Sequence, residues 1–240
     1  MNSGAGRSPG VSIITATHRP QFIKNLLANY ARQQYRTKEL IIILNNDSEK
    51  LHRYRQMAKG LPHVRIYQVS EKLSLGQCLN CGIAKAKHPL IAKFDDDDYY
   101  SPFYLQEQVN ALIRTRSDVI GKHACLVYLE ATKELIIRSP KHTNRPEWFV
   151  QGGTILFHRR VLKKHWFSDR SLGEDTKFLR DCIHAGYRVY STSTYNYVYI
   201  RRSDKKSHTW RVKDAFYKKG SIPVAKGKPY RPFADRKLPL

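Results

Sequence analysis

The first hundred residues repeat one pattern, in which a short apolar segment leads through a polar turn into an amphipathic helix. The pattern predicts strands at residues 11–15, 39–44, 64–69 and 89–94, and helices at residues 21–34, 49–59 and 75–86. Strands that are apolar on both faces and alternate with helices are typical of a parallel sheet covered on both sides. The sequence therefore predicts a doubly wound, mostly parallel α/β sheet flanked by helices.

Polar side chains cluster where these predicted strands end. The polar segments are residues 15–19, 45–48, 70–76 and 95–98. In a doubly wound sheet, ligands bind in the crevice outside the carboxyl ends of the strands. We therefore expect four loops to converge on one ligand-binding crevice.

The alternation weakens beyond Pro102. Helices are predicted at residues 103–114 and 174–185, and strands at residues 119–130, 134–138, 154–158 and 187–191. A chain of 240 residues is long enough for one domain with a sizeable core. We divide it into an α/β half at residues 1–100, a mixed half of the same domain at residues 101–200 and a basic C-terminal extension, or tail, at residues 201–240.

The chain is strongly basic, with 43 Lys and Arg against 20 Asp and Glu and a formal net charge of +23. Residues 201–240 hold 13 Lys and Arg against three Asp, and we expect the prolines and glycines after Lys219 to break regular structure there. Such a charge attracts polyanions, so nucleic acid, anionic membrane and phosphorylated substrates all stay open. The hydrophobic share of 41% is typical of a folded protein and excludes a charged disordered chain.

The sequence contains no run of about 18 apolar residues, and its first ten residues lack the apolar core of a signal peptide. We therefore expect a cytoplasmic protein.

Four cysteines at irregular spacing are too few for a disulfide framework in a chain of this length. Cys78 and Cys81 have the Cys-x-x-Cys spacing of redox and zinc sites, but no second pair follows. We predict reduced, buried thiols.

Four consecutive carboxylates, Asp95 to Asp98, follow the predicted strand at residues 89–94. Adjacent carboxylates repel one another, and a bound divalent cation relieves this repulsion. Their oxygen atoms are the ligands that suit Mg²⁺ or Mn²⁺. An acidic loop exposed to solvent is the alternative. The position at a strand end, in the expected crevice, favours metal or nucleotide binding.

Five segments resemble, in order and spacing, the motifs of the nucleotide-sugar-dependent glycosyltransferases of family 2, which have the GT-A fold. These segments are residues 11–19, 43–48, 76–82, 94–98 with Pro102, and 173–175 with Phe178 and Gly186. The resemblance covers about residues 11–200. It implies a GT-A type α/β fold in which residues 1–100 bind the nucleotide sugar and residues 101–200 form the acceptor side.

The resemblance also implies a donor-binding set. Its members are Ala16, Thr17, Arg19, Asn46, Asp95 and Asp96. The first three would border the base and the ribose, Asn46 would meet the base, and the two aspartates would lie near the ribose and the diphosphate. The family usually has two aspartates where this chain has Asn45 and Asn46, so neutral amides would contact the base. The choice of nucleotide therefore stays open, and a UDP-sugar is our first choice.

For the reaction itself, the resemblance implies Asp97 as the principal ligand of Mn²⁺ or Mg²⁺, His208 as a further metal or diphosphate contact, and Asp175 as the general base. The metal would stabilise the charge of the leaving diphosphate. One carboxylate suffices to take the proton of an acceptor hydroxyl, and a single displacement inverts the anomeric centre. Two alternatives stay open: His208 is a surface histidine in a basic segment, and Glu174 with Asp175 caps a helix.

A glycine pair, Gly152 and Gly153, precedes the predicted strand at residues 154–158. The absence of side chains there would let an acceptor sugar approach closely, and an ordinary tight turn is the alternative. Trp148 lies just before this pair and is a candidate acceptor contact.

We therefore predict an inverting, metal-dependent glycosyltransferase that moves a hexosyl group from a nucleotide diphosphate sugar to a hydroxyl acceptor in polysaccharide or cell-surface glycan synthesis. We expect the basic extension to hold it peripherally at the anionic inner membrane surface or at an anionic glycopolymer. A catalytically silent, glycosyltransferase-like scaffold is one alternative. A nucleic-acid-binding protein is another, less favoured because no nucleic-acid module is recognisable. Its stacking candidates would be Trp210, Phe216, Tyr217 and Tyr230.

Overall fold

The computed structural model describes residues 8–204, 207–208 and 210–238; the remaining residues of the predicted first half and of the basic extension lie outside it. The strands are β1 (Val11–Thr17), β2 (Lys38–Asn45), β3 (Val64–Val69), β4 (Leu90–Lys93), β5 (Tyr99–Tyr100), β6 (Val119–Gly121), β7 (Cys125–Leu129), β8 (Glu134–Arg138), β9 (Arg145–Pro146), β10 (Leu156–His158), β11 (Val189–Ser191), β12 (Tyr197–Arg201) and β13 (Ile222–Lys226). The α-helices are α1 (Ile23–Arg32), α2 (Leu51–Met57), α3 (Leu75–Ala84), α4 (Tyr104–Thr115), α5 (Glu174–His184), α6 (Asp214–Lys218) and α7 (Arg231–Ala234).

Eight strands form the main sheet in the order β3-β2-β1-β4-β10-β6-β11-β9. Strand β1 lies between β2 and β4 and is parallel to both, and β2 is parallel to β3. Strand β10 runs antiparallel to its neighbours β4 and β6. The predicted mostly parallel α/β sheet is therefore confirmed. Because the strand order reverses between β1 and β4, the crevice expected of a doubly wound sheet lies at the ends of these two strands.

Helices cover both faces of this sheet because its central strands are apolar on both sides. Consecutive residues of β1 point to opposite faces: Ile13 packs in the cluster that contains Leu26 of α1, and Ile14 packs in the cluster that contains Leu79 of α3. Helix α3 approaches the sheet closely at Gly82, where an added Cβ would lie only 3.2 Å from a side-chain atom of Ile43. The predicted pattern of buried strands and amphipathic helices thus matches the packing.

A second sheet has the order β13-β8-β7-β12-β5 and was not predicted. The single strand predicted at residues 119–130 is wrong, because the chain leaves the main sheet after β6 and enters the second sheet at β7. Lys122 stabilises this crossing. Its buried ammonium group lies 3.0 Å from both carboxylate oxygens of Glu107 and donates to the Ser193 carbonyl at 2.8 Å.

The C-terminal segment is part of the second sheet, so the expectation that prolines and glycines break its structure is wrong. Strand β13 pairs antiparallel with β8, with an irregular register between Pro223 and Ala225. An edge strand tolerates proline because one of its sides needs no hydrogen bonds. Fully buried Arg201 donates to the carbonyl groups of Trp210 and Val212 and so holds this segment against β12.

The four cysteines are free thiols; three of them are buried and Cys81 is half-buried. Burial raises the pKa of the Cys78 thiol to about 11. The predicted reduced thiols agree with these environments.

Within residues 8–204, 207–208 and 210–238, no helix is both long enough and apolar enough to span a bilayer.

Candidate active site

A cleft of about 630 Å³ opens at the carboxyl ends of β1 and β4. The loops that follow these two strands form one wall, the start of α5 forms another, and side chains of the second sheet form the third. Every predicted site residue except Asn46 lines this cleft: Ala16, Thr17, Arg19, Asp95, Asp96, Asp97, Asp175 and His208. The crevice predicted from the strand ends therefore exists and brings these residues together.

Asp96 joins the loops that follow β1 and β4. Its carboxylate is 2% exposed, accepts a hydrogen bond from Thr17 Oγ1 at 2.5 Å and forms an ion pair with Arg19. Burial and the neighbouring charge of Asp97 raise the pKa of Asp96 to about 6, although Arg19 opposes this shift. Thr17 and Arg19 are thus tied to the acidic loop, next to each other in the crevice.

Asp97 is compensated by two arginines. Its Oδ2 atom lies 3.0 Å from Arg19 Nη1 and also forms an ion pair with Arg202. Burial alone would raise its pKa, but the two guanidinium groups outweigh burial and hold the pKa of Asp97 below its usual range. Both guanidinium groups lie over the Phe22 ring, with Cζ atoms 4.7 and 4.8 Å from the ring centroid. Asp97 is therefore ionised, as a metal ligand must be.

The carboxylate of Asp97 fits Mn²⁺ or Mg²⁺, because these cations prefer ionised oxygen ligands. In this structure the side chains of Arg19 and Arg202 balance its charge. His208 is differently placed. Its Nε2 accepts the backbone N–H of Arg202 at 2.9 Å, and its Nδ1 lies 3.3 Å from the Tyr199 hydroxyl. Both ring nitrogens thus have partners, so metal contact by His208 needs these hydrogen bonds to change.

A different group in the described part of the chain has metal-ligand chemistry: His123, His142 and Glu147. The Glu147 carboxylate lies 3.2 Å from His123 Nδ1, 2.8 Å from His142 Nδ1 and 3.2 Å from Arg145 Nε. The two imidazole rings stack with centroids 4.1 Å apart, and both Nδ1 atoms face the Glu147 carboxylate. These contacts satisfy Glu147 within the protein and indicate a structural cluster.

The fourth carboxylate, Asp98, does not line the cleft. It is buried and accepts hydrogen bonds from the Tyr197 hydroxyl at 2.6 Å and the Ile200 amide at 3.0 Å. Burial, with the charges of Asp97 and Asp95, raises the pKa of Asp98 well above its usual range. Asp98 therefore anchors the acidic loop to β12, and three carboxylates remain for ligand binding.

Lys93 lies beneath these carboxylates and was missed by sequence reasoning. Its buried ammonium group is 2.7 Å from Asp95 Oδ1. Burial lowers the pKa of Lys93, but the charges of Asp95, Glu174 and Asp175 outweigh it and raise the pKa above its usual value. The signal in the sequence was a single lysine at the end of an otherwise apolar strand. Lys93 links the two acidic sides of the cleft electrostatically.

Asp175 stands in the first turn of α5. Its Oδ1 accepts the Thr176 amide at 2.6 Å, so it satisfies a free N–H of the helix start as well as lining the cleft. The side chain passes directly over Gly152, where an added Cβ would lie 2.9 Å from Asp175 Cγ. At Gly153 an added Cβ would lie 2.7 Å from Asp95 Oδ2. The glycine pair therefore lets both carboxylates approach the same stretch of backbone.

Glu174 is a second residue that sequence reasoning missed. Its side chain is 4% exposed and lines the cleft next to Asp175. Burial raises the pKa of Glu174 to about 7, with Asp175 adding to the shift and Lys93 opposing it. From the sequence, Glu174 has no role beyond a helix cap shared with Asp175, because its burial depends on the folded structure.

Asn46 and Trp148 do not line the cleft. Asn46 donates to the His18 carbonyl at 3.1 Å and accepts from the Ser48 amide at 3.0 Å, whereas Asn45 lines the cleft. Trp148 is 66% exposed, and its neighbour Phe149 lines the cleft in its place. Asn46 would therefore contact the base of a nucleotide only after a change in the conformation of its loop.

The predicted motif at residues 76–82 supports the loop that precedes α5. Asn80 donates to the Phe167 carbonyl at 2.8 Å and accepts from the Phe167 amide at 3.1 Å. A Cβ at Gly76 would overlap the Ser168 carbonyl. Helix α3 thus holds the loop that leads into α5, and so positions Asp175.

With this geometry, the chain can be compared with known proteins. The family model described as glycosyl transferase family 2 matches residues 12–166. The O-antigen biosynthesis glycosyltransferase WbnJ of Escherichia coli is 27% identical over 218 residues, which are 82% of this chain and 82% of WbnJ. The amylovoran biosynthesis glycosyltransferase AmsE of Erwinia amylovora is 24% identical over 145 residues, covering 60% of this chain and 54% of AmsE.

Solved structures share the fold. The mannosyltransferase PcManGT from Pyrobaculum calidifontis, in complex with GDP-Man and Mn²⁺, matches with a TM-score of 0.69 and 15% identity over 83% of this chain and 59% of that chain. TarS residues 1–349 of S. aureus, in complex with UDP-GlcNAc, matches with a TM-score of 0.66 and 15% identity over 88% of this chain and 64% of that chain. This chain therefore spans about 60% of these two solved chains.

The family model covers more than half of the chain, and its matched range contains β1, the acidic loop and the glycine pair. The main sheet agrees with the fold of the solved glycosyltransferases. The protein belongs to glycosyl transferase family 2 and is a glycosyltransferase with the GT-A fold.

Proposed function

We propose that this enzyme transfers a sugar from a nucleotide diphosphate donor to a hydroxyl acceptor with inversion, and that it requires Mn²⁺ or Mg²⁺. The observation that supports this most is that one cleft is lined both by Asp97, the ionised carboxylate of the acidic loop, and by Asp175 of α5, which Gly152 lets approach closely. An inverting transferase needs a metal-binding group and a general base on opposite sides of one reacting centre. This cleft offers both.

The donor side consists of charged groups that match a nucleoside diphosphate. Asp97 would hold the divalent cation, which when bound neutralises charge on the leaving diphosphate. Arg19 and Arg202 both form ion pairs with Asp97. Once Asp97 binds the cation, the two arginines would be released to contact the same phosphates. The complexes of PcManGT with GDP-Man and Mn²⁺ and of TarS with UDP-GlcNAc support a nucleotide-sugar donor here. Ala16 and Thr17, with Asn45 and Asn46, would border the nucleoside, and a UDP-sugar remains our first choice.

On the acceptor side, Asp175 would take the proton from the attacking hydroxyl. Its Oδ1 is fixed by the Thr176 amide, which orients the carboxylate across Gly152 into the cleft. The buried ammonium group of Lys93 pairs with Asp95 Oδ1 at 2.7 Å, and its charge also attracts Asp175, which would keep the acidic sides of the cleft together. A single carboxylate in this position suits direct displacement at the anomeric carbon.

We further propose a role in polysaccharide or cell-surface glycan synthesis, supported by the names of the two relatives, which act in O-antigen and amylovoran biosynthesis. The C-terminal segment would hold the enzyme peripherally at an anionic membrane or glycopolymer surface. It presents exposed cations at Arg211, Lys213, Lys218, Lys219, Lys226 and Lys228. Each cation near an anionic bilayer contributes about 1 kcal/mol.

Sedimentation with vesicles of phosphatidylcholine and phosphatidylglycerol tests this contact. We expect Lys219→Glu with Lys228→Glu to weaken binding, and the matched pair Lys59→Glu with Lys72→Glu, exposed in the first half, to leave it unchanged. Equal losses in both pairs would refute a role specific to the C-terminal segment.

The proposed reaction is tested by donor hydrolysis across UDP-, GDP- and dTDP-sugars, with Mn²⁺, Mg²⁺ or EDTA. We expect one donor to be turned over with metal, and the turnover to fall at least 100-fold in EDTA and in Asp97→Asn. Glu71→Gln removes an exposed carboxylate outside the cleft and is the matched control. If no nucleotide binds while DNA or RNA binds with steep salt dependence, the basic surface and not the cleft is the functional site.

A further inference from the structure

The cleft contains a cation that the proposed reaction does not use. Arg138 ends β8, and its side chain lines the cleft next to Val127 and Tyr199. Among the residues that the structure describes, none forms a hydrogen bond or an ion pair with its guanidinium group. Arg19 and Arg202, by contrast, are both paired with aspartates. Arg138 is therefore a cleft-lining charge for which the described protein supplies no counter-ion.

Three aromatic rings hold this guanidinium group. Its Cζ lies 4.7 Å from the ring centroid of Phe216, 5.0 Å from that of Tyr217 and 5.8 Å from that of Trp210. Such contacts stabilise a cation through the ring faces. The five N–H donors of arginine lie in the plane of the group and stay available at its edge. The cage therefore presents hydrogen-bond donors without an acceptor.

The surroundings indicate which ligand would complete this cage. Trp210 and Phe216 expose 42% and 45% of their surface, and Trp210 lines the cleft together with Arg138. Exposed aromatic faces suit the apolar face of a sugar ring, and an unpaired guanidinium group suits a phosphate or a carboxylate, which it binds through two parallel hydrogen bonds. We propose that Arg138 and Trp210, with Phe216 and Tyr217 supporting the guanidinium group, form an acceptor subsite that binds a phosphate or carboxylate group, so that the acceptor is an anionic glycan or a glycosyl phosphate.

This inference rests on the proposed function, because only a transferase has an acceptor. The donor diphosphate is the other source of an anion in the cleft. Arg19 and Arg202 already provide cations beside Asp97 for that diphosphate. Arg138 lies on β8, where its register partner across the strand pair is Cys125, and neither Asp96 nor Asp97 pairs with it. Its guanidinium group is therefore outside the ion-pair network beside Asp97.

The binding test uses phenyl phosphate, which combines a ring with a phosphate, and benzyl alcohol as its neutral counterpart. Side-chain Nε–Hε signals of the full chain are followed by NMR at constant ionic strength. Arg231 is the matched control, because it is exposed and lies 5.3 Å from the Tyr99 ring, outside the cleft. We expect saturable shifts of the Arg138 signal with phenyl phosphate only. A shift of Arg138 no larger than that of Arg231 would overturn the subsite.

Variants make the same test quantitative. We expect Arg138→Gln to weaken phenyl phosphate binding about tenfold, as for loss of a charge-assisted pair, and Arg231→Gln to leave it unchanged. Arg138→Lys keeps the charge but loses the planar face, and we expect an intermediate affinity. This variant also decides the question if Arg138→Gln fails to fold, since wild-type affinity in Arg138→Lys would contradict the role of the planar group.

Titration with UDP, GDP or dTDP in the presence of Mn²⁺ separates acceptor from donor. We expect one nucleotide to shift the Arg19 and Arg202 signals and to leave phenyl phosphate bound at Arg138. A nucleotide that shifts Arg138 and displaces phenyl phosphate would assign the cage to the donor diphosphate and overturn the acceptor subsite. If no nucleotide binds at all, the proposed function fails, while the phenyl phosphate result still decides whether Arg138 is an anion site.

Discussion

Replacing Gly152 with alanine would put a methyl group into the space that Asp175 occupies. The added Cβ would lie 2.9 Å from Asp175 Cγ and closer still to Oδ2. Two carbons in nonbonded contact lie about 3.5–4.0 Å apart. The Asp175 carboxylate must therefore move by roughly 1 Å from its present position. A displacement of about 1 Å at a reacting group can cost around 100-fold in rate, or about 2.7 kcal/mol.

The same substitution should barely change stability. Gly152 does not have a positive φ, so alanine is compatible with its backbone conformation. The atoms that must move belong to the end of one side chain, and we expect a change in unfolding free energy of at most about 1 kcal/mol, or a Tm shift of about 2–4 °C. A loss of rate without a loss of stability would therefore point to the position of Asp175.

The assay is kcat for sugar transfer or donor hydrolysis at saturating donor and Mn²⁺, with thermal unfolding and donor affinity measured in parallel. Gly60→Ala is the control, because Gly60 has φ +90° and open space around it, so alanine there strains the backbone far from the cleft. We expect Gly60→Ala to lower Tm and keep kcat. Wild-type kcat in Gly152→Ala would refute the role of the Asp175 carboxylate in its present position.

Four other predictions follow from the same contacts. Gly153→Ala should displace Asp95 and raise the KM for the donor more than it lowers kcat, as steady-state kinetics will show. Lys93→Met should leave the half-buried carboxylate of Asp95 without its ion-pair partner and lower the unfolding free energy by about 1 kcal/mol in urea. The raised pKa of Glu174, about 7 against an ordinary 4.5, means that the folded state binds an extra proton between these values. Wild-type stability should therefore fall by up to about 3 kcal/mol relative to Glu174→Gln as the pH rises from 4.5 to 7, and an unchanged difference would contradict this. Asn80→Ala should cost about 1–3 kcal/mol and lower kcat, because the loop before α5 loses two hydrogen bonds.

The first half of the fold was predictable because each of its elements carries its own signal. The apolar strand at residues 39–44 and the amphipathic helix at residues 21–34 are defined by neighbours in sequence. The crevice followed from a general property of doubly wound sheets, which places the loops after β1 and β4 side by side. Eight of nine predicted site residues line the cleft, six of them for this reason.

The second sheet was not predictable from local pattern, because its pairings join distant segments. Val198 of β12 lies beside Leu126 of β7, and Ile222 of β13 lies beside Ile137 of β8. The strand predicted at residues 119–130 failed for a related reason. Apolar residues lie on both sides of Lys122, so the sequence gives no sign of a break there. The contacts of Lys122 with Glu107 and Ser193 show that the chain crosses between the sheets at this lysine.

Individual side chains of the site were also beyond sequence reasoning where their role depends on a partner. Lys93 gains its role from Asp95 and from the start of α5, about 80 residues later in the chain. The unpaired charge of Arg138 could be recognised only once the aromatic rings of the C-terminal segment were in place. Motifs thus identified carboxylates that line the cleft, and the structure identified the cations around them.

The central claim is that Asp97 and Asp175 have separate roles in one cleft, and a comparison of Asp97→Asn with Asp175→Asn tests it most directly. Donor affinity is measured by calorimetry with and without Mn²⁺, and single-turnover transfer is measured on the same samples. We expect Asp97→Asn to lose Mn²⁺-dependent donor binding, and Asp175→Asn to bind donor as the wild type does while its transfer rate falls at least 1,000-fold. Wild-type transfer by Asp175→Asn, or Mn²⁺-dependent donor binding by Asp97→Asn, would contradict the account.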